Sequence, residues 1–297
     1  FNLSQQLTAI FNNSSISVIE TDVARIEGQD NRKRFAAVKI NDLNHNLKRG
    51  RAGGHWHHVE KHEKALEYKL RRQRMKITKG VIPGAKKIVA YGPEGIGKST
   101  FAGSFPEPVF CDTEGSTKTM DVMRFDAPKS WDDILAAVDY VITDPTCCKT
   151  FVVDTADWAE MYCIRHTCEK GGVNGIEDFG YGKGYVYVQE NFKKLLDKLD
   201  KLIELDINVV VTAHAKMRKF EQPDEMGAYD RWEMKLSRQV APMLKEWADM
   251  VLFMNYKTYV IEDDKTKSKK AQGGKRVMYT THNPCWDAKN RYGLKDC

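Results

Sequence analysis

The sequence predicts an α/β fold: a mostly parallel sheet flanked by helices, with a β-hairpin towards the C-terminal end. Three observations carry this. From Met75 onward, short apolar runs of strand length alternate with segments of helical periodicity. A glycine-rich loop directly follows the first of those runs. Later runs end in acidic or polar residues, and open α/β sheets bind their ligands at the carboxyl ends of their strands.

The first run, Ile-Val-Ala-Tyr at 88–91, has the length and branching of a buried strand. It leads into Gly92-Pro-Glu-Gly-Ile-Gly-Lys-Ser99, and Ser99-Thr100-Phe101-Ala102 can open a helix. This is the strand-loop-helix setting of a Walker A phosphate-binding loop. Gly92, Gly95 and Gly97 permit backbone conformations that a Cβ would block, so successive N–H groups can converge on phosphate oxygens. Pro93, Glu94, Ile96 and Thr100 complete the expected nucleotide-binding stretch. Lys98 is expected to neutralise the β- and γ-phosphates and Ser99 to ligate Mg²⁺, which makes ATP and Mg the expected cofactors.

Further strands are expected at 109–111, 151–153, 209–212 and 250–254. Asp154 ends the run at 151–153 and fits a Walker B acid, holding Mg²⁺ through water. Many P-loop ATPases place a catalytic Glu next to that Asp, but Thr155 stands here, so the base must come from elsewhere. Glu114, just past the run at 109–111, is the candidate to orient and polarise the attacking water, with Asp112 as the second choice. On its own, a solvated loop carboxylate is the other reading of Glu114. His214 follows the run at 209–212; it reads either as a γ-phosphate sensor or as a structural histidine.

The clearest helix is 188–205, where Phe192, Leu195, Leu196, Leu199, Leu202 and Ile203 fall on one face at helical spacing. That stripe reads as core packing rather than a cofactor box. The segments 258–261 and 276–280 flank a charged turn and read as a hairpin.

With 297 residues, 41% of them hydrophobic, the chain can bury a full core. No apolar run approaches the ~18 residues of a membrane span, and no signal peptide opens the chain, so the expectation is no membrane and a cytoplasmic location. Seven cysteines without Cys-x-x-Cys spacing argue against a zinc site or a disulfide scaffold. The net charge of +6 sits unevenly: residues 1–74 hold 14 Lys/Arg against 8 Asp/Glu, whereas 75–297 hold 33 of each. Two parts follow, a basic N-terminal extension at 1–74 and an ATPase domain at 75–297. The chain begins with Phe, and Met75 opens the first stretch that reads as a compact fold. The extension reads equally as an addition upstream of Met75 or as a flexible basic arm. Its His55, His57, His58 and His62 match no zinc spacing and read as a solvated tract.

The order of these parts resembles the RecA-like P-loop NTPase core. More closely, Met75-Lys-Ile-Thr-Lys-Gly-Val-Ile-Pro-Gly-Ala-Lys-Lys, the P-loop, and Asp112-Thr-Glu-Gly-Ser-Thr resemble the phage nucleotide-binding proteins with AAA domains, some of which are single-strand-annealing recombinases. The resemblance implies Lys98 and Ser99 on phosphate and Mg²⁺, Glu114 as catalytic carboxylate, Asp154 as Walker B acid and His214 at the sensor position. It also implies a homo-oligomeric ring or filament in the host cytoplasm, in which Lys289 and Arg291 enter a neighbour's ATP site; a plain basic tail is the alternative. The segment 216–238 sits where RecA-like proteins have a DNA-contacting loop. Lys216, Arg218 and Lys219 are there for phosphates and Phe220, Tyr229 and Trp232 for stacking, while Glu221, Asp224 and Glu225 oppose this; a mobile surface loop is the other reading. The aromatic and glycine-rich segment at 179–185 reads either as a second stacking platform or as a turn.

The function expected is therefore an ATP-hydrolysing phage protein acting on single-stranded DNA in recombination or annealing. A P-loop kinase of small molecules or a nucleotide-binding scaffold without DNA activity is the alternative. A packaging motor is disfavoured by Thr155.

Overall fold

The computed structural model describes residues 77–80, 82–221, 227–262 and 269–296. The chain divides into two units, 1–81 and 82–297. In the first, only 77–80 are described, and they lack regular secondary structure. The expected extension at 1–74 with its four histidines, Met75, and the acidic pair Asp224 and Glu225 lie outside the described residues.

The second unit has the expected architecture. In chain order its elements are β1 (Lys87–Gly92), α1 (Lys98–Gly103), β2 (Pro108–Asp112), β3 (Met123–Arg124), α2 (Trp131–Thr143), β4 (Thr150–Asp154), α3 (Ala156–Gly171), α4 (Lys183–Glu204), β5 (Asn208–Glu221), β6 (Ala228–Met234), α5 (Val240–Trp247), β7 (Met250–Glu262), β8 (Lys269–Tyr279) and β9 (Lys289–Asn290). The sheet runs β3-β2-β4-β5-β1-β7-β8, with β6 on β5 and β9 on β7. The pairs β3-β2, β2-β4, β4-β5, β5-β1 and β1-β7 are parallel. Strand β5, which carries His214, thus separates the P-loop strand from the strand ending in Asp154.

The central strands are apolar on both faces, as a sheet covered by helices on both sides requires. Successive residues alternate between two cores. Val89, Val153, Val211 and Val251 pack with Trp131, Phe192, Leu195 and Leu199 from α2 and α4, whereas Ile88, Val152, Val210 and Leu252 pack with Ala102 of α1. Register is held straight across the sheet, with Cys111 opposite Val153, Val153 opposite Val211, Val211 opposite Val89 and Val89 opposite Val251. As a result Asp112, Asp154, Thr212, His214 and the P-loop emerge along one edge.

Local signals set the helix ends. Ser130 caps α2: its Oγ accepts from Asp133 N at 3.1 Å, and Asp133 Oδ2 accepts from Ser130 N at 2.9 Å. Helix α4 carries the predicted stripe but starts earlier than 188, at Lys183, and its Gly184 admits the close approach of Ile176, whose carbonyl lies 2.4 Å from where a Cβ would stand.

Two expectations are corrected. The runs at 250–254 and 258–261 are a single strand, β7, which pairs with β8 from Phe253 onward, with a register shift between Lys257 and Thr258 that leaves Gly274 of β8 as the extra residue of a bulge. In the segment at 216–238, residues 216–221 and 228–234 are strands rather than a loop. Residues beyond Ala215 continue β5 and pair antiparallel with β6, from Lys216 opposite Glu233 to Glu221 opposite Ala228, and α5 follows.

Candidate nucleotide site

The P-loop is pinned under β7. A Cβ on Gly92 would stand 2.3 Å from the carbonyl oxygen of Met254, so only glycine lets the loop leave β1 at this point. Ile96 is fully buried against Ala90 and Met254 and anchors the loop's middle, while Pro93 is half-buried and Glu94 exposed. Gly95 and Gly97 hold φ of 72° and 104°, in the region that side-chain-bearing residues avoid. Gly97 then opens α1, with Lys98 buried, Ser99 half-buried and Thr100 exposed. Lys98 Nζ donates to the carbonyls of Gly92 at 3.2 Å and Pro93 at 3.0 Å. Burial pushes its ammonium down from the ordinary lysine value, against the pull of Asp154, Asp157, Glu114 and Glu94.

Across the edge, Asp154 is fully buried. Its Oδ1 accepts from the Thr212 hydroxyl, and its Oδ2 has no partner. A buried carboxylate oxygen without a donor is costly unless a cation serves it. The donors present therefore suit Mg²⁺, a hard cation taking oxygen ligands: the orphan oxygen of Asp154 through water, and the Ser99 hydroxyl directly. A loop whose glycines leave its amides unobstructed, beside a lysine held by main-chain carbonyls alone, suits a polyphosphate.

Asp112, the second-choice base, has another task. Its Oδ1 accepts from the N–H groups of Glu114, Gly115 and Ser116 at 3.2, 2.7 and 3.2 Å, and its Oδ2 from Thr117 N at 2.9 Å and Thr117 Oγ1 at 2.6 Å. Burial acts to raise its pKa, but these bonds outweigh it and hold the carboxyl below the ordinary aspartate value. Asp112 thus builds the turn that presents Glu114. Thr113 ties that turn to β4: its N–H donates to Asp154 O at 2.8 Å and its hydroxyl donates to Thr155 O at 2.8 Å.

Glu114 Oε2 lies 3.9 Å from His214 Nε2, with the Glu114 side chain 30% exposed. Partial burial, aided by Asp154 and Asp157, raises its carboxyl above the ordinary value despite the opposing pull of His214. On its other side His214 is held by Asp157, a residue of the first turn of α3 that the sequence reading passed over. Asp157 Oδ2 is 2.9 Å from His214 Nδ1, and Asp157 Oδ1 accepts the His214 N–H at 3.0 Å. The hydrogen bond to Asp157 raises the His214 pKa above the ordinary 6.5, against desolvation. The available signal was the Asp-x-x-Asp spacing of Asp154 and Asp157, which puts a second acid at the start of the helix after the Walker B strand.

Lys98, Asp154, Glu114 and His214 are thus brought together; Lys289 and Arg291 are not. Strand β9 pairs with the start of β7, Asn290 opposite Met250 and Lys289 opposite Val251, beside Ile88 and Val89 of β1. Both residues lie at the amino edge of the sheet, away from their own P-loop. Lys289 Nζ donates to the carbonyls of Lys245, Glu246 and Ala248 at 3.2, 3.1 and 2.7 Å, closing the end of α5. Arg291 pairs with Asp249 at 2.9 Å.

In the β5–β6 hairpin, Lys216 donates to Leu236 O at 2.9 Å and Arg218 pairs with Glu233 at 3.4 Å. Phe220 packs edge-on to Tyr229 and under Arg231, while Trp232 lies against Phe253. Met217 and Lys219 are exposed and alternate with Lys216, Arg218 and Phe220, on the face where Met217 stands opposite Trp232. At 179–185, Phe179 fills the space beside Gly171, where a Cβ would stand 2.3 Å from its ring, and Tyr185 donates to Glu177 at 2.8 Å. Tyr181 is fully exposed.

Two more residues reach the P-loop unforeseen. From β7, the Tyr256 hydroxyl donates to Gly95 O at 3.2 Å; from β8, Arg276 lies 3.5 Å from the same oxygen.

With this geometry in view, comparison with known proteins gives three findings. A family model described as an AAA domain matches residues 85–292. Among solved structures, a KaiC-like protein from the hyperthermophilic archaeon Pyrococcus horikoshii OT3 is similar at 15% identity and a TM-score of 0.36, covering 67% of this chain and 87% of that one. The flagellar accessory protein FlaH from Methanocaldococcus jannaschii is similar at 13% identity and a TM-score of 0.34, covering 67% of this chain and 78% of that one. No curated protein matches the sequence.

Proposed function

Since this chain belongs to the AAA domain family, and its mostly parallel sheet carries a P-loop ATPase core, we propose that it hydrolyses ATP with Mg²⁺ and uses the cycle to act on single-stranded DNA in phage recombination or annealing. The carrying observation is the chain of contacts Asp157–His214–Glu114 beside Lys98 and Asp154. It supplies a carboxylate of raised pKa, held in place, at the edge where a γ-phosphate would lie.

In this reading Glu114 accepts a proton from water while the water oxygen bonds to the γ-phosphorus. The bond to the β–γ bridging oxygen breaks, and ADP leaves with that electron pair. Lys98 exchanges its two loop carbonyls for phosphate oxygens and offsets their charge. Mg²⁺ held by Ser99 and Asp154 supplies further charge neutralisation when bound. His214 stabilises the ionised Glu114 and senses the γ-phosphate. It sits where β5 leaves the parallel sheet, and its carbonyl accepts from Lys235 N at 2.7 Å at the far end of the hairpin. A change at His214 is therefore carried into the β5–β6 hairpin.

That hairpin is the proposed DNA-contacting element, with Lys219 for phosphate; the paired state of Lys216, Arg218 and Phe220 narrows the contact surface relative to the sequence expectation. The protein works in the host cytoplasm as a ring or filament. In the same reading the amino edge of one copy meets a neighbour's ATP site, with the exposed Arg291 as the entering cation and Lys289 holding the end of α5 beside it. Residues 75–297 make up the ATPase domain and 1–74 a basic extension. Among the described residues no helix is long and apolar enough to cross a membrane. The test is ATP turnover by the full chain with and without single-stranded DNA, with Lys98→Ala as control. Turnover raised by DNA and lost in the control is expected; turnover indifferent to DNA would remove the DNA role.

A further inference from the structure

The C-terminal hairpin folds back over the P-loop. Tyr256 and Arg276 are directly paired across β7 and β8, and cross-strand partners project from the same face of the sheet. Both reach the carbonyl of Gly95. The guanidinium also flanks Gly97: its Nη1 is 3.3 Å from where a Cβ of Gly97 would stand, which is the residue immediately before Lys98. Arg276 is exposed, and its contact with Gly95 is long for a charge-assisted bond. The phenol alone makes an ordinary hydrogen bond to that carbonyl. The guanidinium therefore keeps most of its five donors for something else, and a planar, permanently charged fork suits phosphate oxygens.

We propose that Arg276 is a further nucleotide-contacting residue, supplied by the same chain, which binds the polyphosphate beside Lys98 while Tyr256 holds the outer side of the P-loop. This rests on the nucleotide-binding reading above and adds to it a cation on the hairpin. It also gives the hairpin a part in the site: a nucleotide bound to both the P-loop and Arg276 ties β8 to β1.

The test is equilibrium binding of a fluorescent ATP analogue and of the matching ADP analogue to the full chain, comparing wild type with Arg276→Ala, Arg276→Lys and Arg276→Gln, each checked for an unchanged thermal midpoint. Arg276→Ala is expected to weaken binding about tenfold, the size of one charge-assisted contact. Arg276→Lys should recover part of the loss, and Arg276→Gln, which can still donate to Gly95 O, should not. Wild-type affinity in Arg276→Ala would overturn the proposal, and so would full recovery by Gln, which marks a purely structural contact. A wild-type protein that binds neither analogue would instead overturn the nucleotide-binding reading itself.

Discussion

Asp157 grips His214 twice, accepting its backbone N–H at Oδ1 (3.0 Å) and meeting its Nδ1 at Oδ2 (2.9 Å). One carboxylate thereby fixes both the backbone of β5 at His214 and how the ring is turned. With Nδ1 occupied, Nε2 faces Glu114. The expected consequence is that the Glu114 carboxylate, presented by the turn that Asp112 builds, is also steered from α3 through the imidazole.

The pH dependence follows from the signs. His214 has its pKa raised by Asp157, so its contribution to stability is complete below the ordinary 6.5 and fades as pH rises through the raised value. For Asp157, burial opposes but the His214 bonds prevail, and its pKa falls below the ordinary 3.8. Its contribution is present above that ordinary value and fades as pH falls through the lowered one. The pair therefore stabilises most between the two ordinary values. Asp157→Asn is expected to lose stability chiefly in that window, measured by urea unfolding across pH; an equal loss at every pH would count against the charged pair.

Leu199 is fully buried in α4 against the sheet. Truncation to Ala should cost about 2–5 kcal/mol, the range for large-to-small changes in a packed core. Far smaller changes in the urea midpoint would mean that α4 is not packed as described.

Lys289 and Arg291 should separate cleanly. Lys289→Met removes three donors from the carbonyls at the end of α5 and is expected to lower stability by about 1–3 kcal/mol. Arg291 is 57% exposed in its pair with Asp249, and such pairs contribute little to stability. Arg291→Ala should leave the thermal midpoint almost unchanged and reduce ATP turnover only at protein concentrations where copies associate. An equal effect at all concentrations would end the neighbour role.

Much of this arrangement was legible from the residues. The Walker A loop and the acid at Asp154 stand out because phosphate and metal chemistry admit few residue types at those spacings, whereas His214 reads equally as a sensor or a structural histidine. The stripe from Phe192 to Leu202 gave α4 because helical periodicity is local. What was hidden depends on contacts between distant segments. Asp112 reads as a possible base until its oxygens are seen saturated by the turn from Glu114 to Thr117. Asp157 carries no sequence reading at all, and its part is seen only when β5 brings His214 to it. Tyr256 and Arg276 lie in a charged hairpin with no motif, and only the pairing of β7 with β1 and with β8 brings them to the P-loop. The segment at 216–238 reads as a loop through the RecA-like resemblance, yet cross-strand pairs such as Lys219 opposite Asp230 and Phe220 opposite Tyr229 make 216–221 and 228–234 paired strands.

The most direct measurement is single-turnover ATP hydrolysis by Glu114→Gln beside wild type, with nucleotide binding measured on the same samples. Binding within a few-fold of wild type and hydrolysis reduced by about 10²-fold or more, the scale of a lost general base, is the predicted result. Hydrolysis at the wild-type rate in Glu114→Gln would contradict the account, since the water would then be activated by another group.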